Sequence, residues 1–441
     1  MTRNNNISIS PLFGVLVVLL IIISVACSNS LRRVQARYLT DIEMGVLPTS
    51  FESGTSDIRT DVKGPCYQNE SYEVDTNRLV DYPMRYVRIN IHWMNSEDSL
   101  QSIPEAEARA YTLRLVDAMN YALRNNKKMF LPPRNTTPVH PTNFRYVLTG
   151  RPDDPEDDGI YYHYDDSLYY YVHYRKKDSN LYDRGAIEKY GVQLDTVLNL
   201  FMMPHQPDSV ASPTYSAGRV GVALRNALKV AAKWKQDFEK DPKKCHWRYR
   251  GVINHEVGHI MGLSHAWGRS DGCDDTPVHP NRCWSKNSRP GCDTMASNNV
   301  MDYTSVQLAW TPCQISRVQR SLSDPRRRQR KFLEPRWCVR NPELDLLIED
   351  EVVWNCMHDL HGNLTIAPGA RLTIKCRTSV PQDGTITIQA GGELIIDGGA
   401  LHQDCGGTWE GVVVEKVGEL EGKLTMINSG RILDVLPDEG L

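Results

Sequence analysis

No apolar run in this 441-residue sequence is long enough to span a bilayer comfortably as a helix. The run Val15–Ala26 is about a dozen residues long and is interrupted by Ser24. Neither charge is in strong excess: 51 Lys and Arg against 54 Asp and Glu leave a formal net charge of -3. That balance gives no global reason to expect nucleic acid or an anionic membrane surface as partner. No two cysteines form a Cys-x-x-Cys pair, which argues against a zinc site built on thiolates. What remains is an ordinary soluble composition, 40% hydrophobic and 24% charged, on a chain long enough for two or three domains.

The N-terminus has the form of an export signal. A polar Met1–Gly14 carrying Arg3 is followed by the short apolar stretch and then Cys27. Ser24-Val25-Ala26-Cys27 resembles a bacterial lipobox, in which the cysteine is lipidated and becomes the mature N-terminus; an ordinary cleaved signal or an uncleaved anchor is the alternative. The expectation is an exported protein, at the cell surface or in the outer membrane as a lipoprotein, otherwise secreted, touching membrane only through Cys27. The ten other cysteines are an even set, which in an exported chain reads as disulfides of undetermined pairing.

The pattern divides the chain into a signal peptide over 1–27, a tether or pro-segment over 28–80, a first domain over 81–325, a basic linker over 326–340 and a β-rich domain over 341–441. Val87, Ile89, Ile91 and Trp93 alternate with Arg88, Asn90 and His92, the period of a half-buried strand. Ser102 and Glu105 form a candidate capping box before a helical stripe of Ala108, Tyr111, Leu115, Met119 and Ala122. Val197–Met203 suits a sheet strand, Gly221–Lys240 reads as a second amphipathic helix, and a third helix begins near Trp247. The sum is an α+β domain. The run from Arg326 to Lys331 is basic and reads as a solvated linker. In the tail, Leu364-Thr-Ile366, Gly369, Leu372 and Ile374 recur as Ile386-Thr-Ile388, Gly391, Leu394 and Ile396, the spacing of stacked β-coils; a sandwich hairpin would also permit it.

Chemistry concentrates in His255-Glu256-Val257-Gly258-His259-Ile260-Met261-Gly262-Leu263-Ser264-His265. On a helix His255 and His259 share a face and can present two imidazoles to one ion. A glycine at Gly262 can take φ > 0 and turn the chain so that His265 returns as third ligand. Three neutral imidazoles and one open position suit a single catalytic Zn²⁺. Glu256, next to the first ligand, is placed to take a proton from zinc-bound water and pass it to the leaving amine.

These residues resemble the metzincin metalloproteases at every fixed position of the extended motif, and Asn299-Val300-Met301-Asp302-Tyr303 resembles their Met-turn. Gly272-Cys273-Asp274-Asp275-Thr276-Pro277 is similar to a segment of the pappalysin-like, or cytophagalysin, branch. The resemblance implies a catalytic domain with a mixed twisted sheet and an active-site helix. It also implies that Met301 floors the zinc ligands and that Tyr303 approaches the metal or stabilises the tetrahedral oxyanion. Members often carry structural Ca²⁺ near this region, which makes Asp274 or Asp275 candidate ligands beside their reading as turn aspartates. Some members are held latent by a pro-segment cysteine; Cys66 lies in the right part of the chain, and its other reading is a disulfide. The functional expectation is a zinc endopeptidase acting on extracellular polypeptides, with no nucleic-acid partner and no oligomeric state assigned. The alternative is a surface binding or adhesion protein with an inactive zinc domain.

Overall fold

The computed structural model describes residues 64–100, 103–171, 182–211, 220–268 and 270–436. The export signal, Cys27, most of the tether and Ser102 of the expected capping box lie outside these residues. Among the described residues no helix is long and apolar enough to cross a membrane.

The first region is built on one mixed sheet. Its strands are β1 (Arg85–Asn95), β2 (Phe144–Leu148), β3 (Ile160–Tyr164), β4 (Leu198–Pro204), β5 (Val220–Leu224) and β6 (Ala227–Ala232), in the order β2-β1-β4-β6-β5. β2 pairs the first half of β1 and β3 the second half, so both lie along the same edge of it. All pairings are parallel except β5 with β6. One face of the sheet carries helix α1 (Glu105–Arg124), helix α2 (Trp234–Lys240) and helix α3 (Arg250–Ile260). Ile89, Ile91 and Trp93 of β1 join Tyr111, Leu115 and Met119 of α1 and Val252, Ile253 and Val257 of α3 in a single core. Each such side chain contributes about 1.5–3 kcal/mol by leaving water.

Two expectations are corrected here. β1 is buried on both faces, because Tyr169, Tyr171, Ala186 and Ile187 cover the second one. Its polar residues are tolerated because they are hydrogen-bonded: the His92 ring sits 2.9 Å from Asn199 Oδ1 and 2.9 Å from His163 Nε2, and Asn90 donates to Val192 O. The expected helix over Gly221–Lys240 is a hairpin, β5 and β6, followed only then by α2. Burial on both faces removes the period-2 signal from these strands. Their turn uses Arg225 at φ 69° rather than a glycine, so the usual hairpin signature is missing.

Helices α4 (Pro312–Ser323) and α5 (Arg328–Lys331) close the region. Thr311 and Gln314 form a capping box at the start of α4. The stretch 326–340, expected as a solvated linker, is packed: Arg330 is 6% exposed and pairs with Asp359 and Asp404.

Beyond it the chain repeats a short unit of three strands, a coil, whose strands pair in parallel with those of the next unit. β7 (Leu346–Ile348), β8 (Glu351–Trp354) and β9 (His358–Asp359) are followed by β10 (Leu364–Ile366), β11 (Arg371–Ile374) and β12 (Arg377–Ser379). Next come β13 (Thr385–Ile388), β14 (Glu393–Asp397) and β15 (Ala400–His402), and then β16 (Gly411–Val414). A small hairpin of β17 (Lys416–Val417) and β18 (Leu420–Glu421) precedes β19 (Lys423–Ile427) and β20 (Arg431–Ile432). Three four-stranded sheets result, ordered β16-β13-β10-β7, β19-β14-β11-β8 and β20-β15-β12-β9. The repeat read in the sequence is the register itself, with Leu364 opposite Ile386 and Leu372 opposite Leu394. Their inward side chains are fully buried.

The two regions are clamped together. Asp359 of β9 meets Arg330 at 2.8 Å, Arg377 at 3.1 Å and Arg85 of β1 at 3.5 Å. Burial alone would raise the Asp359 carboxyl, but Arg330, Arg377 and Arg85 outweigh it and hold it well below the usual carboxylate range. Disulfide Cys338–Cys405 ties the linker to the coils, and Cys66–Cys376 ties the N-terminal stretch to them. Cys66 therefore takes the disulfide reading. Cys273–Cys313 and Cys283–Cys292 are also bonded, but Cys245 and Cys356 are free and buried, so the ten cysteines do not all pair. Cys245 instead serves as a small apolar residue of the main core.

Candidate metal centre

His255, Glu256 and His259 lie on α3, and all three are buried. Helix α3 stops at Ile260, and Gly262 follows at φ 93°. A Cβ there would meet only Ser321 Oγ at 3.6 Å, so the left-handed backbone, not lack of space, calls for glycine. The turn brings His265 back. The three Nε2 atoms lie 3.1 Å (His255–His259), 3.2 Å (His255–His265) and 3.2 Å (His259–His265) apart.

The tautomers follow from the carbonyls nearby. His255 Nδ1 donates to Val300 O at 2.7 Å and His259 Nδ1 donates to Leu263 O at 2.9 Å. A carbonyl can only accept, so each Nδ1 carries the proton and each Nε2 presents a lone pair. Two lone pairs brought this close to a third imidazole nitrogen form a donor set that suits a cation. Nitrogens ~2.0–2.1 Å from one tetrahedral ion sit about 3.4 Å apart, close to the spacing found. Burial first, then His259 and His265, push the His255 pKa well below the ordinary imidazole value, keeping it neutral and able to ligate. The residues present therefore fit a zinc ion.

Glu256 is wholly buried, and neither carboxylate oxygen has a hydrogen-bond partner within the protein. Burial raises its pKa well above the usual value; a cation beside it would oppose that. Edge strand β5 runs against it: a Cβ on Gly221 would sit 2.3 Å from Glu256 Oε1. Gly221 is a position at the candidate site that the sequence reading missed, and a glycine inside a strand is the signal for such a close approach.

Met301 is fully buried beneath the helix, and a Cβ on Gly258 would lie 2.4 Å from its Sδ. The turn carrying it is held by reciprocal amide bonds between Asn299 and Gln314 at 2.9 and 3.0 Å. Gln314 Oε1 also accepts from Thr311 N, so the cap of α4 braces the floor of the site. Asp302 accepts from Ser297 Oγ and from His279 Nε2, the latter at 3.1 Å. The Tyr303 ring lies 4.7 Å from that of His265 and 5.1 Å from that of Trp267, a neighbour the sequence did not single out. Gln329 of α5 donates to Ile260 O at 2.7 Å and so closes the end of α3.

Asp274 is exposed, while Asp275 accepts from the backbone N–H of Cys313 at 3.0 Å. Among the described residues the other grouping of metal-ligating types is Cys273, Asp275 and Cys313, but its two sulfurs form a disulfide.

No protein-family model matches the sequence, and no curated protein matches it. Among solved structures the chain is similar to mirolysin in complex with compound 9, with TM-score 0.39 and 15% identity over 57% of this chain and 96% of that one. It is also similar to Tannerella forsythia mature mirolysin in complex with a cleaved peptide, with TM-score 0.37 and 15% identity over 56% and 95%. A Tannerella forsythia promirolysin mutant gives TM-score 0.38 and 16% identity over 60% and 88%.

Proposed function

We propose that the chain is a zinc-dependent endopeptidase that hydrolyses peptide bonds of extracellular polypeptides. The observation that carries this reading is the convergence of three imidazole Nε2 atoms, 3.1–3.2 Å apart, beside a buried carboxylate with no hydrogen-bond partner within the protein. His255, His259 and His265 would hold the ion. Bound there, zinc supplies Lewis acidity that brings water toward ionisation near pH ~7 and polarises a carbonyl. Glu256 accepts the proton of the attacking water and delivers it to the departing amine, work that a carboxylate with no competing hydrogen bond is free to do. Tyr303, packed against His265, donates toward the oxygen on which negative charge develops.

The remaining assignments rest on the same reading. Residues 81–325 form the catalytic domain, and 341–441 an accessory module. The pairing of each coil with the next in three parallel sheets supports a β-solenoid for that module. Residues 1–27 direct export, with Cys27 as lipid anchor, which places the enzyme at a cell surface. Asp275 is a candidate structural Ca²⁺ ligand, tested by whether calcium raises the melting temperature.

The deciding experiment compares wild type with Glu256→Gln on a fluorogenic peptide library, with zinc content measured for both. Cleavage by wild type alone, at about one zinc per chain in each, supports the assignment. Zinc-loaded wild type that cleaves no peptide sinks it and promotes the binding-protein reading.

A further inference from the structure

At the junction of sheet and coils lies a cavity of about 320 Å³, walled by Arg88 of β1, Thr196, Arg330 and Lys331 of α5, Trp337 and Asp404. Its charges do not balance. Arg330 is fully engaged: it pairs with Asp359 and Asp404, donates to Leu322 O, and lies 4.3 Å over the Trp337 ring. Asp404 is thereby matched. Arg88 and Lys331 are not. Arg88 donates from Nη2 to Lys331 O at 2.7 Å, while its Nε–H is buried with no acceptor. Lys331 is exposed and forms no ion pair among the described residues. The acid nearest in effect, Glu334, opposes the lowering of the Arg88 pKa by burial, but it is itself paired with Arg336 at 2.9 Å.

More positive charge stands behind them. Arg328, on the same helix, has its pKa lowered by burial and then by Arg225 and Arg184, with Asp195 opposing them. Arg184 meets Glu188 at 3.7 Å, whereas Arg225 and Arg328 form no ion pair among the described residues. Cations held together in this way are stabilised by an anion that touches several of them.

We propose that this cavity binds a small phosphate- or sulfate-type oxyanion, held by Arg88 and Lys331, with Arg328 adding charge from the same helix. A tetrahedral oxyanion accepts hydrogen bonds in several directions, which suits donors arriving from a strand and from a helix. A planar carboxylate is best met by a free guanidinium fork, and the Arg88 fork is partly taken by the Lys331 carbonyl. The cavity is at the small end for ligand sites, which run from about 300 Å³ upward, and Leu333 with two prolines leaves an apolar wall for a compact body such as a sugar.

The test is calorimetric titration of the full chain in low-salt buffer with inorganic phosphate, then a hexose phosphate, with acetate as comparison. Saturable binding of phosphate, stronger than that of acetate, is expected, together with a rise in melting temperature. Lys331→Ser should weaken it at least threefold and Arg88→Gln at least tenfold, peptide hydrolysis being unchanged in Lys331→Ser. Because Arg88 also braces the backbone, a double Lys331→Ser, Arg328→Ser variant decides the matter should Arg88→Gln fail to fold. No saturable binding by about 10 mM phosphate, binding indifferent to the double change, or acetate binding equally well each overturns the proposal.

Discussion

In the sheet-and-helix region the buried side chains have surroundings of their own, whereas in the middle coils the same surroundings recur from one turn to the next. Ile366, Ile388, Ile374 and Ile396 are interchangeable in kind: each points inward, each is fully buried, and each stacks on an equivalent one coil away. Nothing comparable holds around α3. There the pattern is broken at Gly221 and Gly258, which make room for the Glu256 carboxylate and the Met301 sulfur, and at Gly262, whose left-handed backbone turns the chain back toward His265. Periodic burial produces a rigid support but no point different from the rest. The candidate site arises where periodicity is given up, and its cost is carried by the large common core beneath it.

The comparison can be sharpened by substitution. The largest effect is expected at the broken pattern: Glu256→Gln should lower peptide hydrolysis by about 10³-fold, with zinc content by atomic absorption unchanged. A loss below about tenfold would place the proton-transfer group elsewhere. In the coils, Ile388→Ala should cost ~2–4 kcal/mol in urea unfolding. Met426→Ala should cost under about 1 kcal/mol, since Met426 in the last coil is 53% exposed where its counterpart Ile396 is 0%. Equal losses at the two positions would mean that the last coil is as well covered as the middle. Cys66→Ser should cost ~2–4 kcal/mol with little change in hydrolysis rate, read from urea midpoints and initial rates. A rise in rate would revive a latency role for this segment.

The smallest effect concerns acid. Burial and then His163 hold the His92 pKa at about 3, and burial and then Arg151 hold that of His163 at about 4. Both values lie below that of a free imidazole, so the unfolded chain takes up more protons in acid. Stability present above pH ~6.5 is then lost as pH falls toward 4, by at most about 1.4 kcal/mol per pH unit for each ring, and by less for the partly exposed His163. His163→Gln should fall less than wild type between pH 7 and pH 5, judged by urea midpoints. Parallel curves would show that the pair does not titrate with unfolding.

Sequence legibility followed the same division. The candidate metal residues were readable because a helical face and a left-handed glycine impose fixed spacings, and the coil register was readable because it repeats. The β5–β6 hairpin was not, since strands buried on both faces have no alternation and Arg225 hides the turn. The role of the basic run was hidden for another reason. Only the fold brings Asp359 and Asp404 to Arg330, and no local pattern announces a partner 29 or 74 residues away.

The bond between Cys66 and Cys376 spans 310 residues of sequence, and His255, Glu256, His259, His265 and Tyr303 all fall between its ends. In topological terms the entire candidate site sits on a closed covalent ring, with only the two tails leaving it. A single cut anywhere on that ring opens a circle without shedding a piece. Such a nick would be silent by mass until the disulfide was reduced. Any single cut that truly removes a fragment must therefore act N-terminal to Cys66 or C-terminal to Cys405, because the Cys338–Cys405 bond keeps the stretch between Cys376 and Cys405 attached.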